Sequence, residues 1–118
     1  MEATEFRLGN LIYSKEVDLQ NSCEKKVEVP VDLYILQELI NGNKSGKYSP
    51  IPTSAQFLLD HGFIKHFRHF NYTKKDLRIT LTIKNEWVCP DALPSDWVYL
   101  PYVHQVQNLY FALKGEEL

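Results

Sequence analysis

Residues 50–63, with the sequence PIPTSAQFLLDHGF, carry the most specific local signal in the chain and predict a short helix with two defined ends. Thr53 and Gln56 have the spacing of a capping box, in which two side chains bond to the first backbone N–H groups of a helix. Gly62 suits the left-handed position that follows a helix, and Phe63 can then fold back onto the last turn as a Schellman motif requires. We therefore expect a compact helix that begins at Thr53 and stops before Gly62.

Downstream of this helix, the chain predicts an antiparallel β-hairpin. Apolar residues alternate strictly with polar ones over residues 77–84, which is typical of a strand with one face in water. Residues 64–72 are the expected partner strand, joined to it through the polar turn 73–76. The residues predicted to point inward are Leu77, Ile79, Leu81 and Ile83.

Upstream, the chain predicts a bent strand, its hairpin partner and a second short helix. Residues 6–13 alternate, and Gly9 with Asn10 interrupts the alternation as a bulge does. Residues 27–29 are the expected hairpin partner, after which Asp32 is placed to cap a helix. The inward positions of the strand are Phe6, Leu8 and Ile12, and those of the helix are Leu33, Leu36 and Ile40 or Leu39.

Residues 102–113 predict a C-terminal amphipathic helix, which Gly115 stops. Its core-facing stripe consists of Val103, Val106, Leu109, Tyr110 and Leu113. A second face places hydrogen-bonding groups around one aromatic ring and is the predicted surface for a protein partner; it consists of His104, Gln107, Asn108 and Phe111. The alternative is intramolecular, because buried polar side chains mostly bond to backbone groups and Phe111 can pack under a loop.

Composition indicates one domain over residues 1–118, since 44% hydrophobic residues suffice for a core. The formal net charge of −2, from 13 Lys and Arg against 15 Asp and Glu, argues against binding to nucleic acid through overall positive charge. No apolar run approaches the roughly 18 residues that a membrane span needs, and acids stand where a signal peptide needs basic residues. We therefore expect a cytoplasmic protein without a membrane segment.

One local segment supports an alternative function, the binding of single-stranded nucleic acid. Residues 61–75 contain no acidic residue and interleave aromatic rings with positive charges, as single-strand binders do. The candidate contact residues are Lys65, Arg68, Lys74 and Lys75. The competing interpretation is that the rings form core and the cations are solvated, which is the commoner role of alternating aromatics in a strand.

Motifs for catalysis, metals or cofactors are absent from the sequence. Zinc ligands would come from His61, His66, His69, His104 and Cys89, whose spacing matches no zinc site. Cys23 and Cys89 stand apart, so in a reducing compartment we expect small buried thiols instead of a disulfide. There is no nucleophile elbow and no glycine-rich phosphate loop. The sequence therefore predicts no enzyme, no metal and no cofactor.

Three segments resemble a group of short, uncharacterised bacterial proteins, many of them carried by prophages or mobile elements. Residues 7–10 (RLGN) are similar to its R-I-G-N opening, and residues 50–53 (PIPT) with 62–63 (GF) to its central anchor. Residues 104–118 (HQVQNLYFALKGEEL) are similar to its ending, H-Q-L-Q-N-L-Y-F-A-L-T-G-E-E-L. The resemblance implies a small accessory protein that acts by binding, and it brings no catalytic residue or ligand.

Taken together, these patterns predict an α+β fold. We expect a small, strongly bent antiparallel sheet, open or partly closed into a barrel, packed with two or three short helices that include the C-terminal one. Non-enzymatic binding of a protein partner is the expected function, ahead of nucleic-acid binding.

Overall fold

The computed structural model is an α+β fold that describes residues 5–18, 23–66, 70–82, 84–90 and 97–118. Its helices are α1 (Leu33–Ile40), α2 (Ala55–Asp60) and α3 (Val103–Lys114). Its strands are β1 (Leu11–Asp18), β2 (Cys23–Pro30), β3 (Tyr48–Ser49), β4 (Ile64–Lys65), β5 (Asn71–Lys74), β6 (Leu77–Leu81), β7 (Trp87–Cys89) and β8 (Val98–Tyr99). None of the described helices is long and apolar enough to cross a membrane.

The predicted fold class is confirmed, but the described strands form two antiparallel sheets instead of one, and neither closes into a barrel. The chain divides into two compact units, unit 1 (Met1–Ile51) and unit 2 (Pro52–Leu118). A three-stranded sheet lies in unit 1 and a five-stranded sheet in unit 2. That the chain forms a single domain stays a prediction.

Unit 1 is built on the hairpin of β1 and β2, with β3 on the other side of β1. The predicted pairing with residues 27–29 is confirmed, because Ile12 lies opposite Val29. The strand begins at Leu11, later than expected, because Gly9 at φ +90° turns the chain and donates its N–H to the Val31 carbonyl oxygen at 2.9 Å. Leu8 precedes this turn and is 49% exposed, so its predicted inward position is wrong.

Helix α1 is capped as predicted, since the Ile35 N–H donates to Asp32 Oδ1 at 2.8 Å. Its buried side is different: Leu33 and Ile40 are exposed. The helix is apolar on nearly every side, so spacing alone does not identify the inner face. The core of unit 1 is formed by Phe6, Ile12, Val31, Ile35, Leu39 and Tyr48.

In unit 2 the five strands follow one another in sequence order. Leu77 and Ile79 are buried as predicted, Leu81 is half-buried, and Ile83 lies outside the described residues. The partner of β6 is the four-residue strand β5, and the chain reverses at Lys75 and Asp76. Both turn residues have positive φ (46° and 68°), as a two-residue hairpin turn of type I′ requires. The strand predicted over 64–72 is therefore divided, and β4 pairs with the other side of β5.

The start of α2 differs from the prediction. Ser54, and not Thr53, is the N-cap, because its Oγ accepts from the Phe57 N–H at 3.1 Å. The Thr53 hydroxyl instead donates to the Leu100 carbonyl oxygen at 2.7 Å. The Thr53 hydroxyl thus forms a long-range hydrogen bond, which the spacing of residues around the helix start does not predict.

The end of α2 is the predicted Schellman motif. Gly62 has φ +88°, and the Phe63 N–H donates to the Leu58 carbonyl oxygen at 2.9 Å. Phe63 and Leu58 are both buried, so the motif also fixes two core side chains of unit 2.

Candidate functional site

The five-stranded sheet has a core-facing side and an outer side. Residues directly opposite each other on antiparallel strands share a face. Thr80 lies opposite Val88, and Val88 lies opposite Tyr99, so these three residues share the other side, which is covered at Val88 and exposed at Tyr99. Ile79 points to the core-facing side, where it is fully buried.

Two neighbouring cavities lie along the β6–β8 end of this sheet. One, of ≈ 460 Å³, is lined by Thr80, Leu81, Thr82, Lys84, Glu86, Trp97 and Tyr99. The other, of ≈ 410 Å³, is lined by Pro52, Thr53, Asn85, Glu86, Trp87, Tyr99 and Pro101. Glu86 and Tyr99 line both cavities, so we treat the two as one site and call it the aromatic groove.

The exposure of Trp97 and Tyr99 follows from strand alternation. Leu100 is buried and Val98 is half-buried, whereas Trp97 is 56% and Tyr99 57% exposed. The Leu100 N–H donates to the Trp87 carbonyl oxygen at 2.7 Å, which fixes this register. The aliphatic residues therefore anchor the segment while the two aromatic rings remain on the accessible side.

The β6–β7 turn forms the charged rim of the groove. The Glu86 N–H donates to Thr82 Oγ1 at 3.1 Å, and the Thr82 N–H donates to the Glu86 carbonyl oxygen at 2.9 Å. Asn85 adopts φ +60°, a conformation that asparagine tolerates better than most residues. This closed turn holds the opposite charges of Lys84 and Glu86 beside the groove.

The segment before α2 forms the far wall of the groove. Thr53 donates its backbone N–H to the Pro101 carbonyl oxygen at 2.9 Å, and Pro52 forms an isolated antiparallel bridge with Tyr102. These bonds hold Pro52 and Pro101 beside the second cavity. The groove is thus a preformed concave surface lined with aromatic and proline side chains.

The groove was not predicted from the sequence. The available signal was residues 97–100 (WVYL), in which two aromatics alternate with two aliphatics. Alternation predicts two faces but does not say which face is buried. The packing of Leu100 decides this.

Helix α3 forms as predicted, but its buried side includes part of the surface that was predicted to contact a partner. His104 and Gln107 are buried together with Val103, Val106 and Tyr110, and the His104 ring stacks with that of Tyr102 at 5.9 Å. Leu113, expected in the core, is 49% exposed. Asn108 is half-buried and Phe111 is 40% exposed, so only these two members of the predicted surface are accessible.

The basic hairpin is only partly available to a ligand. Lys65 is exposed on β4, and Arg68 lies outside the described residues. Lys74 Nζ donates to the His61 carbonyl oxygen at 2.8 Å and lies 5.2 Å from the centroid of the Tyr110 ring. Lys75 forms an ion pair with Glu116.

Glu116 connects the C-terminal segment to this hairpin. Besides pairing with Lys75, its Oε1 accepts from the Tyr110 hydroxyl at 3.1 Å. The bond from Lys75 and that from Tyr110 lower the pKa of Glu116, and the bond to Glu116 raises the pKa of Lys75. Burial and the bond to Glu116 raise the pKa of Tyr110. Two of the four candidate nucleic-acid contacts are thus engaged inside unit 2.

The residues considered for zinc do not gather in the described part of the chain, where no three His, Cys, Asp or Glu side chains form a metal-binding group. His66 Nε2 lies 2.8 Å from the Thr73 hydroxyl, and the His61 ring packs on Phe57 at 4.3 Å. Cys89 is buried. His69 lies outside the described residues.

Comparison with protein-family models, with curated proteins and with solved structures gives no match for this chain. The family resemblance drawn from its three sequence segments therefore stays a prediction, and the function is inferred from the site.

Proposed function

We propose that this chain is a non-enzymatic binding protein that holds an extended segment of a protein partner in the aromatic groove. The observation that carries the proposal is the pair Trp97 and Tyr99, each more than half exposed beside a preformed concavity. Tryptophan and tyrosine dominate the centres of protein interfaces because they bury a large area at a small cost in conformational entropy.

The shape of the groove favours an extended chain as its occupant. Tyr99 stands between the two cavities. In an extended chain, side chains two residues apart project to the same side about 6–7 Å from each other. Two such side chains fill the cavities on either side of Tyr99, while Lys84 and Glu86 supply the polar rim of a typical interface.

The wider biological setting belongs to the same proposal. The resemblance to short prophage-associated proteins supports an accessory role in the cytoplasm of a bacterium, as part of phage or mobile-element biology. Phe111 and Asn108 of α3 offer a second, smaller contact surface for the same partner.

A random heptapeptide display library is the probe that tests the groove. We expect selected peptides to carry apolar residues at positions i and i+2. We expect Tyr99→Ala to weaken a selected peptide about 30-fold or more, because truncating a central aromatic anchor costs about 2 kcal/mol or more. Peptide affinity is measured by fluorescence anisotropy.

Tyr34→Ala is the matched control, since Tyr34 lies on α1 in unit 1 and is 75% exposed. It removes a tyrosine that is more exposed than Tyr99 and should leave peptide affinity unchanged. A library that yields no binding sequence, or a selected peptide that binds Tyr99→Ala as tightly as wild type, overturns the proposal.

A further inference from the structure

Strand β2 is a long and regular edge of the three-stranded sheet. It pairs with β1 without interruption from Cys23 to Pro30 and stands at one end of the order β2-β1-β3. None of the described strands pairs with its other side. Such an edge is a template for a further strand, because its outward N–H and C=O groups can bond to another chain.

The backbone groups that point outward from β2 belong to Glu24, Lys26 and Glu28. The Val31 N–H donates to the Asn10 carbonyl oxygen at 2.7 Å, which fixes the alternation of the β1–β2 ladder. Hydrogen-bonded and non-bonded pairs alternate along antiparallel strands. The odd-numbered residues of β2 therefore bond to β1, and the even-numbered residues direct their N–H and C=O groups to the outer edge.

The side chains of these three residues also share one face and carry alternating charge. Val27 lies opposite the buried Ser14, so its even-numbered neighbours point away from the core. Glu24, Lys26 and Glu28 are all exposed there. Within the described residues, none of the three forms an ion pair.

Lys26 lacks a compensating charge inside its own hairpin. It lies directly opposite Lys15, and like charges in that position destabilise a pair of strands. Its Nζ lies 5.7 Å from the centroid of the Tyr13 ring, which is its nearest favourable contact. A carboxylate on the outer side of Lys26 offsets the repulsion between the two ammonium groups.

Charges on an edge strand usually prevent another strand from adding, but one register of two β2 strands matches them. Two copies related by a two-fold axis pair antiparallel, and only even-numbered residues can then bond across the edge. Four such registers overlap more than half of β2. Three of them create a like-charge pair: Lys26 with itself, Glu28 with itself, or Lys25 with itself. In the fourth, Lys26 lies opposite Glu28 on both sides of the axis and Val27 lies opposite Val27.

We propose that β2 binds β2 of a second copy of this chain in that register, which joins two three-stranded sheets into one continuous sheet. Each Lys26 then lies between Lys15 of its own chain and Glu28 of the other copy. This surface belongs to unit 1, whereas the residues that line the aromatic groove belong to unit 2. Self-association through β2 is therefore independent of peptide binding in the groove.

The oligomeric state of the full chain is the first test. One shared edge buries less than the roughly 1,600 Å² of a standard interface, so we expect a reversible dimer of modest affinity. Sedimentation equilibrium should show wild type converting from monomer to dimer at concentrations up to about 1 mM. A wild type that stays monomeric up to about 1 mM overturns the proposal.

Charge reversal tests the register. Lys26→Glu and Glu28→Lys each convert both Lys26–Glu28 pairs into like-charge pairs, so each variant alone should dimerise at least about tenfold more weakly. An equal mixture of the two variants restores opposite charges at both pairs and should associate as a heterodimer. Each variant should remain folded, since Lys26→Glu gives Lys15 an opposite charge within its own chain. Far-UV circular dichroism verifies this.

Glu24→Lys is the matched control for Glu28→Lys. It makes the same change on the same face, but Glu24 lies opposite Pro30 of the other copy in the proposed register. Glu24→Lys should therefore not weaken the dimer. A loss as large as that of Glu28→Lys, or a mixture of Lys26→Glu and Glu28→Lys that does not associate, overturns the proposal.

Discussion

Whether a lysine of this chain is available to a ligand depends on the groups next to it in the fold. Lys74 and Lys75 are adjacent in sequence, yet Lys74 bonds to a backbone carbonyl and faces the Tyr110 ring, whereas Lys75 pairs with Glu116. Lys15 instead stands opposite another lysine on an exposed sheet face. Positive charge in the sequence therefore does not identify the positive surface. It depends on which cations the fold bonds to a carboxylate or a backbone carbonyl.

Glu116 leads to a pH prediction for stability. Its pKa in the folded chain is lowered from 4.5, chiefly by the bond from Lys75. A carboxyl group whose pKa is lowered in the folded state contributes its full stabilisation at pH values above its ordinary pKa. This stabilisation is lost as the pH falls through the lowered pKa. The thermal midpoint of wild type should thus exceed that of Glu116→Gln at about pH 7, and the two should converge in acid below the lowered pKa.

Lys75→Gln is the companion variant, because it removes the main cause of the shift. It should reproduce most of the loss seen for Glu116→Gln at neutral pH. Thermal melts across the acid range check both variants, and a difference between wild type and Glu116→Gln that persists unchanged in acid would contradict the ion pair.

The ends of helices and strands in this chain are set by local turn and capping residues, whereas the side that each element buries is set by tertiary packing. The Schellman motif at Gly62 and the positive-φ pair Lys75 and Asp76 end their elements where the sequence places turn residues. Helix α3 also ends at the predicted glycine, Gly115, in a left-handed conformation. Which side of α3 is buried was predicted less well, because His104 and Gln107 join the core.

Helix α3 permits a matched pair of substitutions. Val106 is fully buried, so Val106→Asp places an unpaired charge in the core and should destabilise by more than about 4 kcal/mol or prevent folding. Ala112 lies on the exposed side of the same helix, and Ala112→Asp should change stability by no more than about 0.5–1 kcal/mol. Urea unfolding measures both; similar losses would contradict the orientation of α3.

At the scale of the whole molecule, the open question is whether the two compact units unfold together. They comprise 51 and 67 residues, sizes at which a single small core is marginally stable. The sequence predicts one domain over residues 1–118, which requires one cooperative transition. Both tryptophans, Trp87 and Trp97, lie in unit 2, so tryptophan fluorescence reports on that unit alone.

Ile12→Ala tests this cooperativity. Ile12 is fully buried in the core of unit 1, and its truncation should cost about 2–5 kcal/mol. In a single domain, the urea midpoint followed by tryptophan fluorescence shifts as far as that followed by far-UV circular dichroism. A fluorescence midpoint that stays at the wild-type value would show that unit 2 unfolds independently.

The elements with local signals were predictable from the sequence. The Asp32 cap, the Gly62 and Gly115 stops and the β1–β2 pairing all depend on residues close together in the chain, where φ preference and short-range hydrogen bonds decide the outcome. The α+β class followed from these elements. The locations of these elements were predictable because their energies do not depend on the rest of the chain.

Long-range packing determined which face of each element is buried and which hydrogen-bond partner a side chain takes. Thr53 bonds to Leu100, 47 residues away, and leaves the cap to Ser54. The burial of Leu100 exposes Trp97 and Tyr99, and strand register sets Lys15 against Lys26. Periodicity gives an amphipathic element two candidate faces, and only long-range packing selects one. The aromatic groove arises from that selection.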